Sequence, residues 1–555
     1  VGLIDSGELA AGCYLLNILH PTGYPLYTML GRLASLVPLG SVVNRLAAFS
    51  AFTAAAGIGL LLWLYRRLGI SPVASGVTAL LMGISLPVWS VAVDVEVYAL
   101  TLVMSALLLL AAGTTPPALR LYLFSYLSGL ALTNHLSAAS IVAGAGLIVL
   151  LEQRREAVRQ LPRIAVLFLL GISPYLFLVL RARAGPLLAW GNPVTLERLW
   201  WHITGKQYQV WMFRSSLGEM LANAGRGAIL LGRSFGLVFV PAVVVGMIAL
   251  WRQRRLLFLG LTAGAILAYF YAVNYSIPDI EAYYLPALVA LAVLCAVGLD
   301  RLLRRMGRWQ HLCWLPVAGV LLWNLPDATR RGDYVAYDQA MNTLTSADTN
   351  AVILTDWWDL YAPVFYLQNV EGVRSDVCII DKELVRRSWY LEYMAKEYPS
   401  LMTNSRFELE RYRPLLDDFE HGRLRDTQAI QAAFIDLLRR FLFGGHGRPA
   451  YTSFAAEVNE DARQLLRGAR PIPVGILFLV NDTVVPPFDY SKFTVRIPRR
   501  RIDRRTRASL DRYYYFTAMR IPLLLHAGRA SEAAATGKWW QTTLGDKLVP
   551  AARIR

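Results

Sequence analysis

Cysteine is scarce: the chain holds four, Cys13, Cys295, Cys313 and Cys378, in 555 residues. They show no paired spacing and no metal-ligand pattern, which excludes a disulfide framework and a cysteine-based metal knuckle. Charge is short as well. Asp, Glu, Lys and Arg together make 17% of the chain, against roughly 25% in a soluble domain. The C-terminal region, 326–555, shows no Gly-rich phosphate loop and no nucleophile motif. The first residue is Val, so a fragment or a trimmed start is expected.

Apolar residues are abundant, at 55%, and mean hydropathy is +0.40. They fall in blocks of about 18 to 25, the length that crosses a hydrocarbon core. About ten spans are expected, near 45–65, 71–89, 96–112, 119–133, 136–151, 163–180, 226–250, 256–273, 283–300 and 311–325. Beyond Asn324 the pattern changes to ordinary alternation of polar, charged and aromatic residues. The expectation is a polytopic α-helical membrane domain over 1–325 followed by a soluble α/β domain over 326–555. In the latter, Ala351–Thr355, 377–380 and 474–480 read as strands. A helix is expected from Asp359, and another over Tyr513–Leu525 as far as Pro522. The basic run with Arg499, Arg500, Arg501, Arg504 and Arg505 reads as a solvated face near anionic lipid.

The connections alternate in character. One set is short and basic: Tyr65-Arg66-Arg67, Pro116 to Arg120, Glu152 to Arg163, Trp251 to Arg255, and Arg301 to Arg308. The positive-inside rule puts these in the cytoplasm. The net charge of +17 therefore reports orientation, and no nucleic acid partner is expected. The other set holds the unusual residues: Asp5-Ser6-Gly7-Glu8, His20 to Pro25, Asp94-Val95-Glu96, Thr133-Asn134-His135, the loop from Arg181 to Asn223, and the 274–279 segment. Alternation places all of them, and the C-terminal domain, outside the cytoplasm. It also leads us to expect a further span before Val1.

Each motif has a plain reading beside a chemical one. Asp5 and Glu8 share a helix face at i and i+3, and would equally serve as capping acids. Asp94 and Glu96 stand at a helix start, where a carboxylate is favourable anyway. His20-Pro21-Thr22-Gly23-Tyr24-Pro25 is a rigid non-helical turn, either a pocket wall or a hinge. His135 sits at a span end, where a backbone partner alone could satisfy it. The loop from Arg181 mixes cations with Trp and Tyr. An aromatic belt accounts for most of these rings, yet cations suit a phosphate and rings suit a sugar face.

The ordered set is more specific than its parts. Asp5-Ser6-Gly7-Glu8, His20 to Tyr27, Glu96-Val97-Tyr98-Ala99-Leu100 and Leu132 to His135 come first. Trp190-Gly191-Asn192-Pro193, His202 with Gln207-Tyr208, Tyr283-Tyr284-Leu285-Pro286 and Thr355-Asp356-Trp357-Trp358 follow. Together they resemble the "domain of unknown function 2723" membrane family, glycosyltransferase family 117, a GT-C superfamily group related to protein O-mannosyltransferases. The resemblance runs over about 1–395. The sequence departs from the family at Asn192, where an Asp is expected, and at Thr22, where many members carry Pro.

The resemblance implies a GT-C-like fold and transfer of a sugar, mannose by analogy, from a polyprenyl-phosphate donor to an extracytoplasmic acceptor such as a protein Ser/Thr hydroxyl. It implies that Asp5 is the catalytic acid of the first external loop, with Glu8 beside it. On chemical grounds the donor would meet His20, Tyr24, Glu96, His135, Arg181, His202, Lys206 and Tyr208, with Arg181, His202 and Lys206 as the cations facing phosphate. No cofactor is required, and a divalent metal on the acids is not favoured. A bacterial cell membrane is expected from the short loops. A transporter or lipid flippase, or a GT-C enzyme acting on a glycan or lipid, stays open at this point.

Overall fold

The computed structural model describes residues 2–545 apart from Pro278, Gly445, His446 and Arg500. Pro278 and Arg500 belong to the 274–279 segment and the basic run noted above, and lie outside the described residues. The chain divides into two compact units. One is helical and comprises 18–186 and 193–329; the other comprises the described residues of 1–17, 187–192 and 330–555. The division falls near the expected boundary. However, 1–17 and 187–192, expected in the membrane domain, pack inside the C-terminal unit, for reasons given with the site.

Among the described residues of the helical unit, four runs are long and apolar enough to cross a membrane: Val42–Arg67, Leu161–Arg183, Arg255–Val273 and Ile280–Ala328. Two bent pairs add to these, and Ile280–Ala328 itself contains two long helices, Leu285–Met306 and Trp314–Ala328. The Tyr98–Thr114 and Leu136–Glu152 helices are apolar but shorter. The expected span at 226–250 straddles a break. Leu217–Ser234 and Leu237–Gln253 meet at 85°, and Gly236 between them has a φ of +65°. Within Ile280–Ala328, the Leu285–Met306 and Trp314–Ala328 helices run in opposite directions along Pro72–Ile84. Asp300, late in the first, accepts from Ser71 N (2.9 Å), whereas Asn324, late in the second, donates to Ile84 O (2.9 Å).

The surface of this unit is apolar where it faces outward. Along Leu161–Arg183, Leu161, Val166, Leu169, Leu170, Leu176 and Leu180 are all exposed. Water would not tolerate so continuous a stripe, but lipid does. The chain is an integral membrane protein. Helix contacts inside it rely on small residues: a Cβ on Gly246 would lie 1.8 Å from Leu294 O, and one on Gly298 1.8 Å from Ala242 O.

The second unit is α/β. Its sheet has the order β2-β1-β3-β5-β4, with β1 Val352–Thr355, β2 Cys378–Asp381, β3 Ala450–Thr452, β4 Ile472–Val474 and β5 Leu477–Leu479. Strand β1 pairs in parallel with β2 and β3, so it is buried throughout and reads as an unbroken apolar run. The expected strand over 474–480 is instead the hairpin β4–β5, because Gly475 takes a φ of +58° and turns the chain. The expected 513–525 helix begins earlier and continues through Pro522, as Arg504–His526.

Candidate active site

The N-terminal acids sit in the α/β unit. Asp5 is the residue before the Ser6–Leu15 helix, yet its side chain makes no capping bond. Its Oδ1 accepts from Trp358 Nε1 at 2.7 Å. Asp359, which follows Trp358 in the Trp358–Val370 helix, is buried and accepts from Ile4 N (2.8 Å) and from Arg505 (3.1 and 3.3 Å). Arg505 therefore braces the acid's own segment, and the expected solvated basic face is corrected at that residue. Glu8 is buried one turn on.

Gly7 explains how the acid reaches its partner. A Cβ there would lie 2.3 Å from Ala362 O, so only glycine lets the Ser6–Leu15 helix lie against Trp358–Val370. The 187–192 segment closes the same corner. Leu188 N donates to Asn17 Oδ1 (3.2 Å), and Trp190 packs edge-on to Trp358 and at 4.7 Å from Trp389. Asn192 donates to Glu392 at 2.6 Å. The family's Asp at that position would set two carboxylates together, which accounts for the departure.

The helical unit holds an aromatic cluster and a cavity. The Tyr24 hydroxyl donates to Pro21 O (3.1 Å) and lies 2.8 Å from His20 Nε2. The Tyr24 ring stacks on His135 at 5.5 Å, and Tyr98 and Tyr283 approach the same imidazole at 4.8 and 5.3 Å. Ser137 N donates to His135 Nδ1 at 3.0 Å, which leaves Nε2 to carry the ring proton. Burial lowers the His135 pKa to about 3, so this ring is neutral.

Beside the cluster lies a cavity of about 520 Å³. His135, Ser137, Thr22 and Tyr208 form its polar side, and Leu267, Phe270 and Phe213 its apolar side. Those last three side chains are exposed on the unit's outer surface, so the cavity opens where lipid would lie. Tyr283 and Tyr271 also line it. Of the expected donor residues, His135 and Tyr208 line the cavity, and Tyr24 backs His135. His20 meets Tyr24 and Tyr208 edge-on.

The remaining expected residues lie apart from the cavity wall. Lys206 sits over the Trp201 ring, 3.3 Å from its centroid. Arg181 is in the last turn of Leu176–Arg183. Glu96 precedes the Tyr98–Thr114 helix and donates its backbone N–H to Ser50 Oγ (3.3 Å). His202 is buried under Gly23, whose φ is +85° and whose absent Cβ would fall 2.7 Å from His202 Nε2. Burial, with His20 nearby, lowers the His202 pKa to about 3. The expectation of a cationic His202 is therefore corrected: the ring is neutral. Among the described residues neither of its nitrogens has a hydrogen-bond partner.

Trp358, Tyr98 and Tyr283 were not among the expected site residues, although all three stand inside quoted motifs. For Trp358 no local signal exists, since its bond to Asp5 spans 353 residues.

Residues 5–158 match the protein O-mannosyl-transferase TMEM260 N-terminal domain, and residues 336–435 match TMEM260-associated domain 2. The protein O-mannosyl-transferase TMEM260 of Mus musculus is 26% identical over 456 residues, covering 74% of this chain and 63% of the relative. That of Dictyostelium discoideum is 21% identical over 455 residues, covering 70% and 55%. The chain thus spans less than two thirds of the length of these curated relatives. The crystal structure of ArnT from Cupriavidus metallidurans in the apo state superposes with a TM-score of 0.50 at 15% identity, covering 86% of this chain and 91% of that one. The likeness read from the motifs is matched by these comparisons: the chain is similar to the protein O-mannosyl-transferase TMEM260, and its fold, helical with a following α/β unit, resembles that of ArnT.

Proposed function

We propose that this protein is a glycosyltransferase that moves a sugar from a polyprenyl-phosphate donor to a hydroxyl acceptor. The observation that carries the reading is the largely apolar cavity with a polar edge at His135, Ser137, Thr22 and Tyr208, which opens among lipid-facing Phe213, Phe270 and Leu267. A lipid-phosphate sugar has that same division, with a polar head on an apolar chain. The names of the relatives support mannose as the sugar and a protein Ser/Thr hydroxyl as the acceptor.

A hydroxyl is a weak nucleophile, so a carboxylate must take its proton as it attacks. Asp5 is that base, Trp358 Nε1–H fixes its Oδ1, and Glu8 orients the acceptor. The acceptor oxygen bonds to the sugar's anomeric carbon while the bond to the phosphate oxygen breaks, inverting the centre in a single displacement. The phosphate leaves already ionised and needs charge stabilisation in place of an acid. Arg181 and Lys206 supply charge, and neutral His202 supplies an N–H. His20, Tyr24, His135 and Tyr208 shape the donor pocket, and Glu96 accepts from a sugar hydroxyl. No metal enters this scheme, so transfer should survive a chelator. The short basic loops support a bacterial cell membrane, with Asp5 and the α/β unit on the extracytoplasmic side.

The test is to incubate the purified protein with radiolabelled polyprenyl-phosphate mannose and a Ser/Thr-rich peptide. Labelled peptide is the expected product. Labelled lipid that crosses a vesicle membrane with no product formed would identify a transporter or flippase instead, and a labelled glycan or lipid would reassign the acceptor.

A further inference from the structure

A second cavity, of about 340 Å³, lies at the opposite end of the Leu285–Met306 helix. Tyr283 lines the first cavity and Asp300 the second. Seventeen residues of mostly α-helix separate them, about 25 Å. Arg254, Arg301 and Arg304 converge on this second cavity, and Leu250, Leu257 and Val297 form its apolar wall.

The charges there do not balance. Asp300 is the one carboxylate in the lining; it is buried and already engaged by Ser71 N (2.9 Å) and Arg304 Nε (2.8 Å). Arg301 donates to the neutral Gln253. The Arg254 side chain is exposed at the crevice. Three permanently charged guanidinium groups thus face one committed acid. Arginines that only fix orientation would need no crevice and no apolar wall. A cleft joining cations to aliphatic side chains matches an anionic phosphate attached to an acyl chain.

We infer that this crevice binds the phosphate headgroup of an anionic membrane phospholipid in the leaflet opposite the donor cavity. The phosphate takes the free edges of the arginines, and the first carbons of an acyl chain lie on Leu250, Leu257 and Val297. The site is separate from sugar transfer and holds whether or not the proposed activity does.

The test uses the full chain in detergent, delipidated and titrated separately with phosphatidylglycerol, phosphatidylcholine and inorganic phosphate. Binding is followed by native mass spectrometry and by thermal shift. Phosphatidylglycerol should bind at least about tenfold more tightly than phosphatidylcholine. Arg254→Gln with Arg301→Gln should remove that preference. Val297→Trp, which fills the crevice without changing charge, should weaken phosphatidylglycerol binding by a similar factor, so the inference stays testable if the arginine variant fails to fold. Equal binding of the two lipids, or an unchanged preference in a folded variant, would overturn it. Stabilisation by inorganic phosphate equal to that by the lipid would overturn the lipid assignment.

Discussion

The contact that gives Asp5 a role is a single hydrogen bond from Trp358. An acid before a helix ordinarily caps it, and this one does not; its carboxylate is held by an indole from a helix far along the chain. A hydrogen bond to a charged group contributes about 1.5–3 kcal/mol. Trp358→Phe keeps the ring and removes the N–H, so it should lower the transfer rate about 10- to 100-fold with the KM for lipid donor unchanged. Donor titration kinetics check this. A rise in KM with kcat intact would mean that Trp358 serves only packing. In the sequence, Asp5 is singled out only by its place in an ordered motif. Its partner was not legible, because i, i+3 spacing carries no trace of a contact with residue 358. The charge of His202 was not legible either: burial under Gly23 decides it, and burial is a property of the fold.

At the scale of elements, two glycines set the geometry. Gly7→Ala would place a methyl 2.3 Å from Ala362 O and push the Ser6–Leu15 helix off Trp358–Val370. A loss of about 1–3 kcal/mol is expected from such overpacking, together with impaired transfer, because Asp5 moves with the helix. Thermal melts of the purified chain measure the first effect and the labelled-lipid assay the second. Gly23→Ala should be as damaging, since it meets both a left-handed backbone and His202. Helix positions were readable from apolar blocks, but the bends were not. The 85° break after Ser234 lies where Arg233, Ser234 and Gly236 interrupt an otherwise apolar stretch, and hydropathy is blind to direction. The β4–β5 hairpin was hidden for the same reason, since Gly475 sits within an apolar run that reads as one strand.

At the scale of the whole chain, the α/β unit carries its own pH dependence. Burial raises the Asp381 carboxyl to about 7, opposed by backbone N–H donors at Leu384 and Glu383. A carboxyl raised above its unfolded value of 3.8 favours the fold while protonated. That stability is complete below about 3.8 and is lost as pH rises through about 7. The unfolding free energy should therefore fall from pH 4 to pH 8 by an amount on the order of 1–4 kcal/mol, read as a lower unfolding temperature, and Asp381→Asn should flatten this component. A wild-type profile flat over that range would contradict it. Fold class was legible from composition alone, and the likeness to protein O-mannosyl-transferases from ordered motifs. The assignment of 1–17 and 187–192 to the C-terminal unit was not, because it depends on Gly7, Asn17 and Trp190 meeting residues far away in sequence.

The central claim is that Asp5 is the base of a lipid-linked sugar transfer. It is tested most directly by Asp5→Ala in membranes given radiolabelled polyprenyl-phosphate mannose and a peptide acceptor, with wild type alongside. The account predicts a loss of at least about a thousandfold in labelled product, with the variant still folded and inserted. Turnover equal to wild type would contradict it.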